Sequence, residues 1–173
     1  MKYIGGALMI CLSSNILAGC QQYPGSLVCR DIKLPEIKQQ GYVSLHNVDV
    51  KSTTEVDGMF SGEKSHFYGK IFVKGSAKIN QSTLDQETIV QGSLVSDRSQ
   101  FEDVVITANE ATFSSSNLKN ILFKITSKAQ QKVFLRGSTV VQGHIKFESG
   151  HGQVFLDPQS RIVGEVIGGE IVK

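Results

Sequence analysis

The sequence predicts an all-β protein, a single-stranded parallel β-helix of roughly eight short coils. Three observations carry that prediction. First, from Gly41 onward the chain is a succession of short runs rich in Val, Ile, Phe and Thr, separated by Gly, Ser and Asn. These are strand-forming residues, and a helical spacing of three and four is not sustained anywhere. Second, five frames read apolar, any residue, Gly, any residue, apolar: Val56–Phe60, Phe67–Ile71, Val90–Leu94, Val141–Ile145 and Ile162–Val166. The alternation sets both apolar side chains of a frame on one face, with Gly leaving room for a bend between them. Third, the first and third frames stand 34 residues apart and the third and fourth 51, both multiples of 17. The second and fifth frames fall outside that register. About 130 residues at roughly 17 per coil, stacked about 4.8 Å apart, make a rod of roughly 35–40 Å.

The chain opens on its most specific local signal. Met1-Lys2 gives a positive start, Tyr3 to Ile16 is apolar and small, and Leu17-Ala18-Gly19-Cys20 follows. That order is a secretory leader rather than a buried helix. The last four residues resemble the lipobox of bacterial lipoproteins. The resemblance implies that Cys20 is joined to diacylglycerol and that the chain is cut just before it. Gln21 at the next position implies outer-membrane sorting in a Gram-negative cell, on the periplasmic face. The expected layout is a signal peptide over 1–19, a lipidated tether with an N-terminal cap over 20–40, and the β-helix over 41–173. Pro24, Gly25, Pro35 and scattered charges support the tether, and Ile32–Ile37 is its capping part. Of three cysteines, Cys11 leaves with the leader and Cys20 is acylated. Cys29 is then expected to stand alone, with no intramolecular disulfide.

The strand region supplies its own core. Val43, Leu45, Val48, Val50, Val56, Phe60, Ile71, Val73 and Ile79 lead into Leu84, Val90, Leu94, Phe101, Val104, Ile106 and Phe113. Leu118, Ile121, Phe123, Val133, Leu135, Val141, Ile145, Phe147, Val154 and Leu156 continue the pattern. A sandwich would need longer strands and hairpin dipeptides between them. Asp57-Gly58 is the one such dipeptide, and it lies inside a frame. Gly92 and Gly143 are therefore expected at coil bends, with Leu94 and Ile145 pointing inward. Ser114-Ser115-Ser116-Asn117 fits either a coil corner, where polar side chains stack into a hydrogen-bonded ladder, or a surface loop.

The valine–any–glycine frames in short strands resemble the bactofilins, bacterial polymer-forming proteins with a right-handed β-helix. Val140–Ile145 and Ile162–Gly169 carry the likeness best. The lipobox departs from that family, whose members are typically cytoplasmic. The frames are also similar to those of the left-handed hexapeptide acyltransferases, but a strict six-residue period is missing.

Composition narrows function. A chain of 173 residues with 40% hydrophobic and 20% charged residues, and a net charge of +2, carries no basic stripe for nucleic acid. His46, His66, His144 and His151 have no spacing that converges on a metal or a nucleophile, so no metal, cofactor or catalytic residue is assigned. The carboxylate pairs Asp31/Glu36, Glu55/Asp57, Asp85/Glu87 and Glu102/Asp103 are read as solvated faces. The expectation is a non-enzymatic, membrane-anchored envelope lipoprotein acting as a structural or protein-binding solenoid. The alternatives are a carbohydrate-active β-helix enzyme on envelope polysaccharide and an accessory subunit of a secretion or envelope machine. Its partners are the membrane, through the lipid, and a protein or a second copy. Ile171 and Val172 continue the strand pattern at the C-terminal end and are the expected contact surface.

Overall fold

The computed structural model describes residues 19–125 and 129–172. The expected leader, Gly19 apart, and Lys173 lie outside the described residues. Twenty strands and no helix make up the described chain, which winds into a parallel β-solenoid of about eight turns. It begins with β1 (Gly19–Tyr23), β2 (Ser26–Leu34), β3 (Ile37–Val50) and β4 (Thr54–Glu63). β1 and β2 form an antiparallel hairpin, and from β2 onward the strands pair in parallel with the coils before and after.

Each coil has three sides. One column runs Ile37, Thr54, Ile71, Thr88 and on through Val104, Ile121, Ile145 and Val166. The second runs Val43, Phe60, Ala77, Leu94, Ala111, Val133, Val154 and Ile171. The third runs Val50, Phe67, Leu84, Phe101, Leu118, Val141 and Ile162. These residues alternate with outward ones and fill the interior, where Phe60 meets Phe67 edge-on at 5.6 Å and Phe101 meets Phe113 at 5.8 Å. Leu94 and Ile145 are fully buried, as the frames require. Stacked parallel strands satisfy their backbone groups from coil to coil, so each turn needs only one apolar residue in two.

Two ladders fix two of the three corners. Gly41, Gly58, Gly75 and Gly92 lie on one corner, all at positive φ, and a Cβ on each would overlap the backbone carbonyl of the glycine one coil earlier. Only glycine allows that close stacking. At the corner after the second side, Lys64, Gln81, Arg98 and Ser115 adopt the left-handed conformation. Such residues are strained. Each is held because its N–H donates to a carbonyl of the next coil, as in Gln81 to Asp97 at 2.8 Å. The residue that follows is a buried hydroxyl, Ser65, Ser82, Ser99 and Ser116 in turn, and Thr139 takes the same place one coil after Ser116. Each hydroxyl accepts the N–H of its counterpart one coil back. Ser82 Oγ accepts from Ser65 at 3.1 Å, Ser99 Oγ from Ser82 at 3.2 Å and Ser116 Oγ from Ser99 at 3.2 Å. Each also donates to a nearby carbonyl, as Ser82 Oγ does to Asn80 at 2.8 Å. Of the two readings of the segment around Ser116, the structure shows the corner ladder, which runs from Ser65 to Thr139.

Two expectations are corrected. The 17-residue coil holds through the middle of the chain, but the frames mark two different corners. Val56 and Val90 belong to the first side, whereas Phe67, Val141 and Ile162 share the third. The second, fourth and fifth frames are the ones in mutual register. The 51-residue offset is not three coils, because the coil from Ser116 to Thr139 spans 23 residues. Likewise, the segment 20–40 is not a tether. It folds as the hairpin, the first coil and the start of β3. Its alternation is interrupted by Asp31 at φ 52° and by Pro35, which gives it an irregular texture in sequence. Within it, Ile32 and Leu34 pair with Val48 and Val50 and pack on the core.

Candidate functional site

Several outward charged and polar residues pair with a neighbouring coil. Lys38 lies 3.3 Å from Glu55, Lys70 3.3 Å from Glu87, His46 3.3 Å from Glu63 and Lys119 2.9 Å from Glu102. Asn120 donates to Asp103 at 2.8 Å and Asn47 to Asp31 at 2.7 Å. These pairs tie adjacent coils, and exposed pairs of this kind contribute little energy each. The hydrogen bond from Lys119 to Glu102, together with the negative charges of Glu102 and Asp103, raises the Lys119 pKa above its ordinary value. That attraction is present at neutral pH and is lost as pH rises through the raised value.

Of the carboxylates singled out from sequence, Asp31, Glu55, Asp85, Glu87, Glu102 and Asp103 act as inter-coil links, whereas Glu36 and Asp57 do not. Asp85, Glu87, Glu102 and Asp103 do gather in one shallow groove of about 410 Å³, with Lys70 and Lys119 at its sides. Each of the four has a partner from a neighbouring coil, His66 in the case of Asp85 at 2.7 Å. His66 also stacks on Tyr68 at 3.9 Å, and Lys51 Nζ lies 3.7 Å over the same ring. This row of cation, ring, imidazole and carboxylate satisfies itself. His144 Nδ1 accepts from the Glu165 N–H at 3.3 Å, and His151 is exposed. No group of His, Cys, Asp and Glu among the described residues could hold a metal.

The two ends of the stack differ. At the N-terminal end, the turn Tyr23-Pro24-Gly25-Ser26 closes the hairpin, with Gly25 at φ 73°. Cys20 and Cys29 face each other across it and form a disulfide. This corrects the expectation that Cys29 has no intramolecular partner. The separation of 9 residues carries no signal until the turn is placed, and Pro24-Gly25 is the feature that would have placed it. The bridge uses the Cys20 sulfur, so in this covalent form Cys20 carries no lipid.

At the C-terminal end, the inward positions are Ile162, Val166 and Ile171. Their counterparts one coil earlier, Val141, Ile145 and Val154, are each 0% exposed. Ile162 and Val166 are only half-buried, and Ile171 is 46% exposed. An outward apolar column reaches the same end. Phe134 stacks on Phe155 at 4.7 Å, and Phe155 is registered with Val172. The sequence reading placed Ile171 and Val172 here but missed the phenylalanine column, which becomes visible only once the coil lengths are known.

These features define the class at the level of fold: a parallel β-solenoid of about eight turns. No family model, curated protein or solved structure matches the chain.

Proposed function

We propose that this chain is a lipid-anchored envelope protein whose solenoid serves as a structural or protein-binding module, seated on the periplasmic face of the outer membrane. The single observation that carries the binding role is the apolar C-terminal end. Ile162, Val166 and Ile171 occupy core positions yet remain accessible to solvent, and Val172 continues the Phe134–Phe155 column beside them. Covering such side chains contributes about 1–2 kcal/mol each. Among the described residues Gly169–Val172 pairs with the preceding coil alone, so its other side offers backbone donors and acceptors to an added strand. The Leu17-Ala18-Gly19-Cys20 box supports the anchor. Because β1 begins at the anchor, a lipid on Cys20 would hold the coil stack directly against the bilayer without a spacer. The partnered state of Asp85, Glu87, Glu102 and Asp103 in their shared groove favours binding over glycoside chemistry there, which needs a carboxyl pair free to act on a bound sugar.

Membrane fractionation of the wild-type chain and of Cys20→Ser tests the anchor. The wild type should sediment with outer membranes and the variant should be released. A variant that remains with the membranes, with lipid labelling unchanged, contradicts the reading.

A further inference from the structure

Cys20 and Cys29 are directly opposed in the hairpin. Cys20 is exposed, whereas Cys29 is fully buried and registered with Leu45 of the next coil. The sulfur that the lipobox offers to a lipid is the sulfur the structure places in a disulfide. One sulfur cannot hold both bonds. We infer that Cys29 governs whether Cys20 becomes lipidated, the hairpin disulfide and the lipid thioether being competing fates of the same atom. This rests on the lipoprotein reading of the leader.

Both reactions balance. In the first, the oxidant is a disulfide-bonded thiol oxidoreductase of the envelope. The Cys20 thiolate attacks the oxidant's disulfide to give a mixed disulfide, and the Cys29 thiolate then attacks Cys20 Sγ and expels the oxidant's thiol. Two protons and two electrons leave the chain, and the oxidant departs as a dithiol. In the second, Cys20 Sγ loses its proton and bonds a glyceryl carbon of a phospholipid, whose phosphate headgroup leaves. No electrons are exchanged, and a thiol cannot reverse the step. Whichever reaction comes first decides the fate of Cys20.

The hairpin makes the competition a close one. Pro24 presets its own φ and Gly25 supplies the left-handed residue, so the turn that opposes the two cysteines is encoded locally. Hairpins form in about 1–10 μs. The pairing therefore needs only residues 20–29 and does not wait for the coils. When lipid arrives first, Cys29 remains as a buried thiol packed in the core, and burial in apolar surroundings makes it inert.

The test is peptide mass spectrometry on full-length chain extracted from the envelope of a lipoprotein-processing bacterium, with free thiols trapped by N-ethylmaleimide at harvest. Wild type should show two populations: lipid on Cys20 with Cys29 as a thiol, and bridged Cys20–Cys29 without lipid. Cys29→Ser should raise the lipidated fraction at least twofold. The unaltered chain in a host lacking its envelope thiol oxidant should show the same rise, a control that does not depend on the folding of the variant. Full lipidation of wild type in the oxidising host, unchanged by Cys29→Ser, would overturn the control by Cys29 and leave the lipoprotein reading standing. Absence of lipid on Cys20 in every strain, Cys29→Ser included, would overturn both.

Discussion

Ser82→Ala isolates one rung of the hydroxyl ladder. Ser82 is 3% exposed, and its Oγ accepts the Ser65 N–H at 3.1 Å while donating to the Asn80 carbonyl at 2.8 Å. Removing the hydroxyl leaves the Asn80 carbonyl its second donor, the Lys64 N–H at 3.0 Å. The Ser65 N–H has no such reserve and becomes a buried donor without an acceptor. An orphaned group of that kind costs about 1–3 kcal/mol, so the expected loss is about 2 kcal/mol. For a chain of this size that lowers Tm by about 4–8 °C. Ser82→Thr keeps the oxygen, and Thr139 already occupies the equivalent position, so it should cost less than about 0.5 kcal/mol. Urea unfolding followed by far-ultraviolet circular dichroism, with m-values compared, measures both. Equal stability of Ser82→Ala and wild type, or equal loss in the alanine and threonine variants, would refute the view that the ladder's oxygen satisfies the core backbone.

Three further outcomes are expected. Leu94→Asp puts an unpaired carboxylate at a fully buried position and should abolish cooperative folding; a soluble protein with wild-type thermal unfolding would place Leu94 at the surface. Gly92→Ala drives a methyl group into the Gly75 carbonyl, whereas Gly150→Ala, also at positive φ, meets nothing within 4 Å; the first should cost at least about 2 kcal/mol more by urea titration, and equal costs would count against the glycine ladder. Thr88 Oγ1 is buried without a hydrogen-bond partner, so Thr88→Val should raise stability by about 1 kcal/mol, and a loss of that size would show the hydroxyl to be satisfied.

How much of this could be read from the sequence depends on whether a feature is local. Alternation is local, and it placed Val56, Phe60, Leu94 and Ile145 inside and marked the solenoid. The 17-residue period was also legible, but more cleanly in columns than in the frames. Gly41, Gly58, Gly75 and Gly92 recur at that spacing, and so do Ser65, Ser82, Ser99 and Ser116. Those two series, read together, give two of the three corners. Inter-coil pairs such as Lys38–Glu55 or His66–Asp85 depend on register across a whole turn, so the same residues looked like unpartnered solvated charges. Register then slips where the later coils lengthen, which is why Phe134 and Phe155 went unnoticed as neighbours. The disulfide is illegible for a different reason: the lipobox assigns the chemistry of Cys20 and leaves Cys29 without a candidate partner.

Site-specific photocrosslinking in intact cells tests the proposed binding end most directly. A photoactivatable phenylalanine analogue replaces Ile171 in one strain and the outward-facing Lys78 of the second side in another. A discrete adduct from position 171, absent at position 78, is the predicted result, its mass separating a second copy from another envelope protein. No adduct at position 171, or the same adduct from both positions, would contradict the assignment of the C-terminal end as the contact surface.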